Sequence, residues 1–98
     1  MLSDSELAEA IAGLSGWARE GDVIVKTYEL PSFPAAITFV GEIAERAEAA
    51  DHHPDLDIRY RRVRVALSTH DAGGITEKDV ELATEIESIA PSGGGAAA

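Results

Sequence analysis

Residues 31–54, PSFPAAITFVGEIAERAEAADHHP, predict the longest helix of this chain. Ser32 is a suitable N-cap, and Pro34 falls in the first turn, where the missing N–H of proline costs little. Apolar residues then recur at helical spacing to about residue 50, with charged residues between them, as in a helix that buries one face. The helix closes before Pro54, because the residue preceding a proline disfavours helical geometry. The apolar positions are Ile37, Val40, Ile43, Ala44 and Ala47.

The segment before this helix predicts a β-hairpin. Residues 23–30, VIVKTYEL, are rich in β-branched and aromatic side chains, and Pro31 ends the run. Residues 16–19, GWAR, are a shorter candidate strand. The intervening residues 20–22, EGD, have turn chemistry, so the two segments are expected to pair.

The segment after the helix predicts a second hairpin. Between residues 58 and 69, Ile58 and Tyr60 share one parity, whereas Val63, Val65 and Leu67 share the other. A change of parity indicates a turn, which we place at residues 61–62. A glycine-containing loop, HDAGG, follows at residues 70–74.

Two further helices are predicted from their capping residues. Ser3 with Glu6 forms a capping-box pattern that begins a helix over residues 4–13. Thr76 with Asp79 has the same spacing, with Asp in place of the commoner Glu, and begins a helix that runs to Pro91.

The resulting element order is α-β-β-α-β-β-α. It predicts an α+β fold, with a four-stranded antiparallel sheet and three helices on one face. A chain of 98 residues has room for one domain, which we place at residues 1–91 with a flexible tail at residues 92–98. The open sheet face and the edge strands are candidates for self-association.

Composition excludes several classes of function. Eighteen acidic and eight basic residues give a net charge of −10, which disfavours direct binding to nucleic acid or to an anionic membrane. The four arginines between residues 59 and 64 are interpreted as a solvated or ion-paired surface. Without cysteine the chain has no disulfide, thiolate metal site or cysteine nucleophile. No apolar run is long enough to span a membrane, and we expect a cytoplasmic protein.

The three histidines are the candidate reactive groups. His52 and His53 follow the long helix and His70 follows the last strand, so all three lie at the ends of elements, where a scaffold can present them. Imidazoles exchange protons near neutral pH and can serve as general acid and general base. Nearby carboxylates that can fix their tautomers are Glu48, Asp51, Asp71 and Asp79.

Two other interpretations of these histidines stay open at the level of residue spacing. They can be solvated surface residues, with His52 and His53 interacting with the dipole at the helix C-terminus. They can also form a three-histidine zinc site, although adjacent histidines seldom aim at one ion.

The spacing of the polar residues resembles a family signature. Glu48 is followed after three residues by His52-His53-Pro54, after five more by Tyr60, after nine by His70 and after eight by Asp79. This pattern, with the stretches AEAADHHPD, LSTHDAGGIT and KDVELA, resembles the pterin-4a-carbinolamine dehydratases. That family is also known as dimerization cofactors of a homeodomain transcription factor. The predicted element order agrees with the family fold.

The resemblance implies a dehydratase that converts a 4a-hydroxytetrahydropterin to the quinonoid dihydropterin in pterin cofactor recycling, with no metal or organic cofactor. It implies that His52 and His53 transfer protons, and that His70 binds the pterin near its 4a-hydroxyl and assists catalysis. Glu48 and Asp79 would orient these groups, and Asp51 would act in the same way from the helix end.

Two positions, Lys78 and Leu56, depart from the family pattern, whereas Trp17 agrees with it. Lys78 occupies a position where arginine is common in the family, which implies a weaker substrate contact because lysine lacks the planar two-pronged donor. Trp17 aligns with an aromatic residue that often lines the pocket, and a core position is the equal alternative. Leu56 replaces a tryptophan of animal members, so the pocket wall or the core packs differently there.

The resemblance also implies partners: a small-molecule pterin substrate and a homodimer or homotetramer. Some relatives serve as transcription-factor partners or as assembly chaperones for a carbon-fixing enzyme, so a non-catalytic interaction module is the alternative function. The presence of all three histidines with Glu48 and Asp79 favours the enzyme, because a scaffold has no chemical use for them together.

Overall fold

The computed structural model describes residues 1–90 and 96–97. It confirms the predicted α+β class and element order. A 3₁₀ turn, His70–Ala72, lies between the fourth strand and the third helix. The helices and strands are α1 (Asp4–Ala12), β1 (Ala18–Glu20), β2 (Val23–Glu29), α2 (Phe33–Ala50), β3 (Asp55–Arg59), β4 (Arg62–Leu67), α3 (Glu77–Ile89) and β5 (Ala96–Ala97).

The four main strands form one antiparallel sheet in the order β1-β2-β4-β3. β4 returns beside β2, so the two longest strands are central and β1 and β3 lie at the edges. The two-residue strand β5 pairs with Tyr28 and Glu29 of β2. Residues 91–95 and 98, which include most of the predicted tail, lie outside the described residues.

Burial along the central strands shows that the helices cover one face, although Val25 and Ala66, which pair on the other face, are also buried. Ile24, Tyr28 and Val65 point to the helices and are fully buried, whereas Arg62 and Arg64 on the other face are exposed. This arrangement confirms the expectation of one covered and one open face. Helical residues of the core are Leu7 of α1, Ala36, Phe39, Ile43 and Ala47 of α2, and Leu82, Ala83 and Ile86 of α3.

The buried stripe of α2 differs in part from the predicted one. Its buried residues follow the 3-4-4 spacing of Ala36, Phe39, Ile43 and Ala47. Ile37, 44% exposed, and Ala44 were both expected in the stripe but are exposed, because each follows a buried residue by one position, about 100° around the helix. Both Ile37 and Phe33 therefore leave apolar surface on the outside of the helix.

The second hairpin also corrects a predicted turn. β3 begins at Asp55, and Arg59 pairs with Arg62, so the turn residues are Tyr60 and Arg61 instead of residues 61–62. Tyr60 has a left-handed backbone with φ of 54°, a conformation that the residue type does not predict. Arg61 anchors the turn: its carbonyl accepts from the N–H of Leu30 at 2.9 Å, and its guanidinium donates to the Leu30 carbonyl at 3.1 Å.

The first hairpin begins later than predicted. β1 starts at Ala18, because Gly16 has a positive φ of 82° and Trp17 turns into the core. Among residues 1–90, no helix combines the length and the apolar character that crossing a membrane requires.

Candidate active site

The end of α2 places the first two histidines. Asp51 adopts a left-handed conformation with φ of 49°. Its N–H bonds the Glu48 carbonyl at 3.2 Å, and the N–H of His52 bonds the Ala47 carbonyl at 3.1 Å. These two bonds form a Schellman motif, which satisfies carbonyls at the helix end and reverses the chain direction. His52 and His53 leave α2 from this fixed turn, at the position where the sequence predicted the helix to close.

His52 contacts a buried carboxylate of α3. Its Nε2 lies 2.5 Å from Oδ1 of Asp79, and the two side chains are 10% and 0% exposed. Asp79 occupies the third position of α3, where the predicted capping box with Thr76 is present. The helix dipole favours a negative charge at this position. The capping residue of α3 is therefore also the partner of a candidate catalytic histidine.

Asp79 accepts two further hydrogen bonds on Oδ2. The backbone N–H of Thr76 donates at 2.9 Å, and the hydroxyl of Thr69 donates at 2.8 Å. A buried carboxylate is costly unless donors replace its hydration, and here three donors do so. An ionised carboxylate only accepts hydrogen bonds, so Nε2 of His52 is the donor toward Asp79. Nδ1 of His52 is then left to accept a proton.

His53 forms a more exposed pair. Its Nε2 lies 2.6 Å from Oε1 of Glu48, across the turn at the end of α2. The side chains are 55% and 78% exposed, so water screens their interaction. The pair orients the His53 ring and contributes little to folding.

His70, the third histidine, comes from the loop after β4. It begins the 3₁₀ turn after β4, and Gly73, with φ of 73°, closes that turn. A bridge between Thr69 and Gly74 holds the base of the loop, with the N–H of Thr69 bonding the Gly74 carbonyl at 2.9 Å. The loop thereby brings His70 to the same cleft as His52 and His53, which follow α2.

This cleft has a volume of ≈240 Å³ and gathers five of the predicted site residues. Asp79 and Glu48 do not line the cleft but bond residues that do: Asp79 bonds His52, and Glu48 bonds His53. We call this site the histidine cleft. Its lining residues are Asp51, His52, His53, Ser68, Thr69, His70, Asp71 and Lys78.

A larger cavity of ≈560 Å³ adjoins the histidine cleft. The two share Thr69, Asp71 and Lys78 as lining residues. The ammonium group of Lys78 makes no hydrogen bond or ion pair with the residues that the structure describes, so it is available to a ligand in either space.

Trp17 does not lie at the histidine cleft. It is 4% exposed in the hydrophobic core, and its Nε1 donates to Oε1 of Glu87 at 3.1 Å. Glu87 lies eight residues after Asp79, about 12 Å along α3 at 1.5 Å per residue. Leu56 packs against the core as a half-buried residue and does not line the cleft.

The carboxylate of Glu87 forms a second polar cluster near the C-terminal end of α3. Lys26, 6% exposed, places its Nζ 2.5 Å from Glu87 Oε1 and 2.7 Å from the Ser15 carbonyl. The hydroxyl of Tyr28 donates to the same Glu87 oxygen. Burial acts to raise the pKa of Glu87, but the donors Lys26, Tyr28 and Trp17 outweigh it and hold that pKa below its usual value. Burial, aided by Glu87, raises the pKa of the Tyr28 phenol well above its usual value.

The donor geometry does not favour a shared metal at the histidines. The Nε2 atoms of His52 and His53 bond two different carboxylates. In the part of the chain that the structure describes, no three His, Asp or Glu side chains are arranged to hold a metal ion.

Sequence reasoning missed Thr69 and Ser68. Thr69 was adjacent to a candidate histidine, in LSTHD, and that adjacency was the available signal. Its contact with Asp79 spans ten residues and depends on how β4 meets α3, so spacing alone does not predict it.

Comparison with protein-family models finds a match over residues 1–89 to the family described as pterin 4 alpha carbinolamine dehydratase. A Roseiflexus sp. (strain RS-1) protein, provisionally named pterin-4-alpha-carbinolamine dehydratase, is 58% identical over 88 residues, 90% of this chain and 95% of that protein. A Nocardia farcinica (strain IFM 10152) protein with the same provisional name is 51% identical over 90 residues, 92% of this chain and 95% of that protein.

Two solved structures share the fold. A transcriptional coactivator/pterin dehydratase from Brucella melitensis matches with a TM-score of 0.88 and 36% identity, over 92% of this chain and 98% of that one. A pterin dehydratase-like protein, described as a RuBisCO assembly factor in the alpha-carboxysome, matches with a TM-score of 0.67 over 79% of this chain and 92% of that one. Its identity is 20%, so this second likeness concerns the fold alone.

Proposed function

Because the chain belongs to the pterin 4 alpha carbinolamine dehydratase family, we propose that it removes water from a 4a-hydroxytetrahydropterin and releases the quinonoid dihydropterin. The observation that supports this function best is the histidine cleft, in which His52, His53 and His70 come from two separate segments to line one space. A scaffold without chemistry does not require three imidazoles at one cleft.

The reaction requires one proton donor and one proton acceptor. The bond from C4a to the hydroxyl oxygen breaks, and the oxygen leaves as water after it receives a proton. A ring nitrogen loses its proton, and the electron pair left behind forms the C=N bond to C4a. Both transfers are general acid–base steps, each worth roughly 10²–10⁴-fold in rate for a well-placed group.

His52 is the proposed proton acceptor. Asp79 holds its Nε2–H, which leaves Nδ1 as the basic nitrogen. His53 is the proposed donor to the leaving hydroxyl, since its ring is exposed to exchange protons with solvent while Glu48 orients it. His70 is proposed to bind the pterin near the 4a-hydroxyl.

Lys78 and Asp51 are proposed to bind or orient the substrate from the rim of the histidine cleft. The ammonium of Lys78 can donate to the carbonyl of the pterin ring as a single point donor. A lysine at this position offers a single ammonium group, whereas an arginine would offer two N–H donors in one plane.

The test is the dehydration of freshly generated 4a-hydroxytetrahydropterin, followed by ultraviolet absorbance. We expect rapid turnover by the wild type and a loss of roughly 10²-fold or more in the His52→Ala/His53→Ala double variant. Ser88→Ala, on the exposed side of α3 and outside the cleft, is the matched control. Folded wild type that gives no acceleration over buffer would refute the proposal.

Self-association is the second part of the proposed function. Phe33 and Ile37 lie one turn apart on α2 and are 48% and 44% exposed, which places an apolar patch on the outside of the helix. We propose a homodimer or homotetramer. Light scattering that shows a monomer at micromolar concentration would contradict it.

The alternative, a non-catalytic interaction module, is distinguished by the same assay. The Brucella melitensis protein is described as a transcriptional coactivator/pterin dehydratase, so the two roles are compatible on this fold. A folded wild type without dehydratase activity would favour the interaction module.

A further inference from the structure

The hydroxyl of Thr69 lies between the side chains of Thr76 and Asp79. Its Oγ1 is 2.8 Å from Asp79 Oδ2 and 2.8 Å from Thr76 Oγ1. Asp79 is fully buried, and its other oxygen bonds His52 at 2.5 Å. The contacts form a chain that runs Thr76, Thr69, Asp79, His52.

The proton positions along this chain have one consistent assignment. An ionised Asp79 only accepts, so the single hydroxyl proton of Thr69 points to Asp79. The contact between the two threonine oxygens then requires the proton of Thr76. The Thr76 oxygen is free to accept from the N–H of Lys78, which lies at 3.3 Å. Every donor in the chain therefore points toward Asp79.

The backbone of Thr69 anchors the loop of the third histidine. Its N–H bonds the Gly74 carbonyl at 2.9 Å, and its carbonyl accepts from the N–H of Ala72 at 3.1 Å. Thr69 directly precedes His70. One residue thus joins the loop that presents His70 to the carboxylate that orients His52.

We propose that Thr69 is a positioning residue of the histidine cleft. Its hydroxyl, oriented by Thr76, fixes the rotation of the Asp79 carboxylate so that Oδ1 faces His52 Nε2. The imidazole is thereby held with its proton on Nε2 and its basic Nδ1 available. The proposal rests on the proposed function for its kinetic consequence, whereas the tautomer of His52 is measurable without it.

The experiment compares Thr69→Val, which removes the hydroxyl at nearly constant shape, with Thr69→Ser, which keeps it. Thr84→Val on the exposed side of α3 is the matched control, because among the described residues its hydroxyl bonds only the Val80 carbonyl of its own helix. The first readout is the ring ¹⁵N chemical shifts of His52 at a pH where the ring is neutral. The second is kcat and KM across pH.

We expect Thr69→Val to move His52 from the Nε2–H form toward a mixture of tautomers. We expect its kcat to fall about 10- to 100-fold with KM within about twofold, since small misplacements of a catalytic group carry costs of this size. Thr69→Ser should recover most of both readouts, and Thr84→Val should match the wild type. If Thr69→Val does not fold, Thr69→Ala is measured in its place.

A folded Thr69→Val protein with the wild-type His52 tautomer would overturn the proposal, and so would a Thr69→Ser variant that is as impaired as Thr69→Val. If the wild type shows no dehydratase activity, the proposed function fails, while the ¹⁵N measurement still decides whether Thr69 positions Asp79 and His52.

Discussion

At the scale of single residues, Asp51 has two separate roles that a pair of substitutions can distinguish. Its backbone has φ of 49° at the end of α2, a conformation that glycine adopts freely and alanine does not. Its carboxylate lines the histidine cleft. Both Asp51→Gly and Asp51→Ala remove the carboxylate. They differ in the presence of a Cβ at this left-handed position.

We expect Asp51→Ala to be less stable than Asp51→Gly by about 1 kcal/mol, because a left-handed residue with a Cβ is strained. The measurement is the urea midpoint of each variant. Their dehydratase activities should agree with each other, since both lack the carboxylate. Equal midpoints would show that the Schellman motif does not constrain this position.

Lys78 is the second residue with a prediction of its own. We expect Lys78→Ala to raise KM for the pterin roughly three- to tenfold and to change kcat by less than about twofold, because an exposed point charge contributes modestly to binding. Lys78→Arg should keep the contact. Arg46→Ala, which removes an exposed cation paired with Glu85 outside the cleft, is the control. Unchanged KM and kcat in Lys78→Ala would remove Lys78 from the site.

At the scale of elements, α3 contacts the rest of the molecule through a polar group near each end. In its first turn Asp79 bonds His52 and Thr69, and near its last turn Glu87 bonds Lys26, Tyr28 and Trp17. Between them Leu82, Ala83 and Ile86 are buried in the core. The apolar contacts hold the helix on the sheet, and the two polar groups determine its position along its own axis.

Replacement of Glu87 tests the second of these groups. We expect Glu87→Gln to lower the free energy of unfolding by about 2–3 kcal/mol at neutral pH, because Lys26 loses its counter-charge at a site 6% exposed. Glu85→Gln, in an exposed pair with Arg46, is the control and should cost less than about 1 kcal/mol.

The stability difference between wild type and Glu87→Gln has a predicted pH dependence. The folded-state pKa of Glu87 lies below its usual value, so the unfolded chain binds the proton first as pH falls. The stabilisation by Glu87 is therefore present above the usual carboxyl pKa of about 4.3 and is lost as pH falls through the folded-state value. Urea midpoints between pH 7 and pH 3 should converge for wild type and Glu87→Gln. A constant difference down to pH 3 would contradict this assignment.

At the scale of the whole molecule, the basic residues of the second hairpin are neutralised by neighbouring acidic residues. The four arginines of the second hairpin all lie in ion pairs with acidic residues. Arg59 pairs with Asp57 at 3.0 Å, and Arg64 pairs with Glu20 at 3.0 Å. Glu29 accepts from two of them, Arg61 at 2.9 Å and Arg62 at 3.3 Å. This pairing confirms the interpretation of the cluster as an ion-paired surface.

We expect no binding of duplex DNA at about 0.15 M salt, because the paired arginines release few counterions and the chain carries a net charge of −10. Fluorescence anisotropy of a labelled duplex is the measurement. Saturable binding that Arg64→Ala weakens would show that the open face is a nucleic-acid surface.

The parts of the fold that were predicted correctly depend on short-range interactions. Two capping boxes, the extent of α2 and the α-β-β-α-β-β-α order follow from contacts between residues three or four apart and from strand composition. The turn at Tyr60 was misplaced because Arg61 secures it through Leu30, a residue 31 positions away.

The candidate site likewise has a part that the sequence predicted and a part that only the tertiary structure showed. The residue types and spacing of His52, His53 and His70 were enough to name them, because reactive side chains at the ends of elements are visible in the sequence. The burial of Asp79 against His52, the hydroxyl of Thr69 behind it and the place of Trp17 in the core came only from the tertiary structure. His52 lies 27 residues from Asp79, and Trp17 lies 70 from Glu87. Contacts over such separations depend on how helices pack on the sheet, and local pattern does not encode that packing.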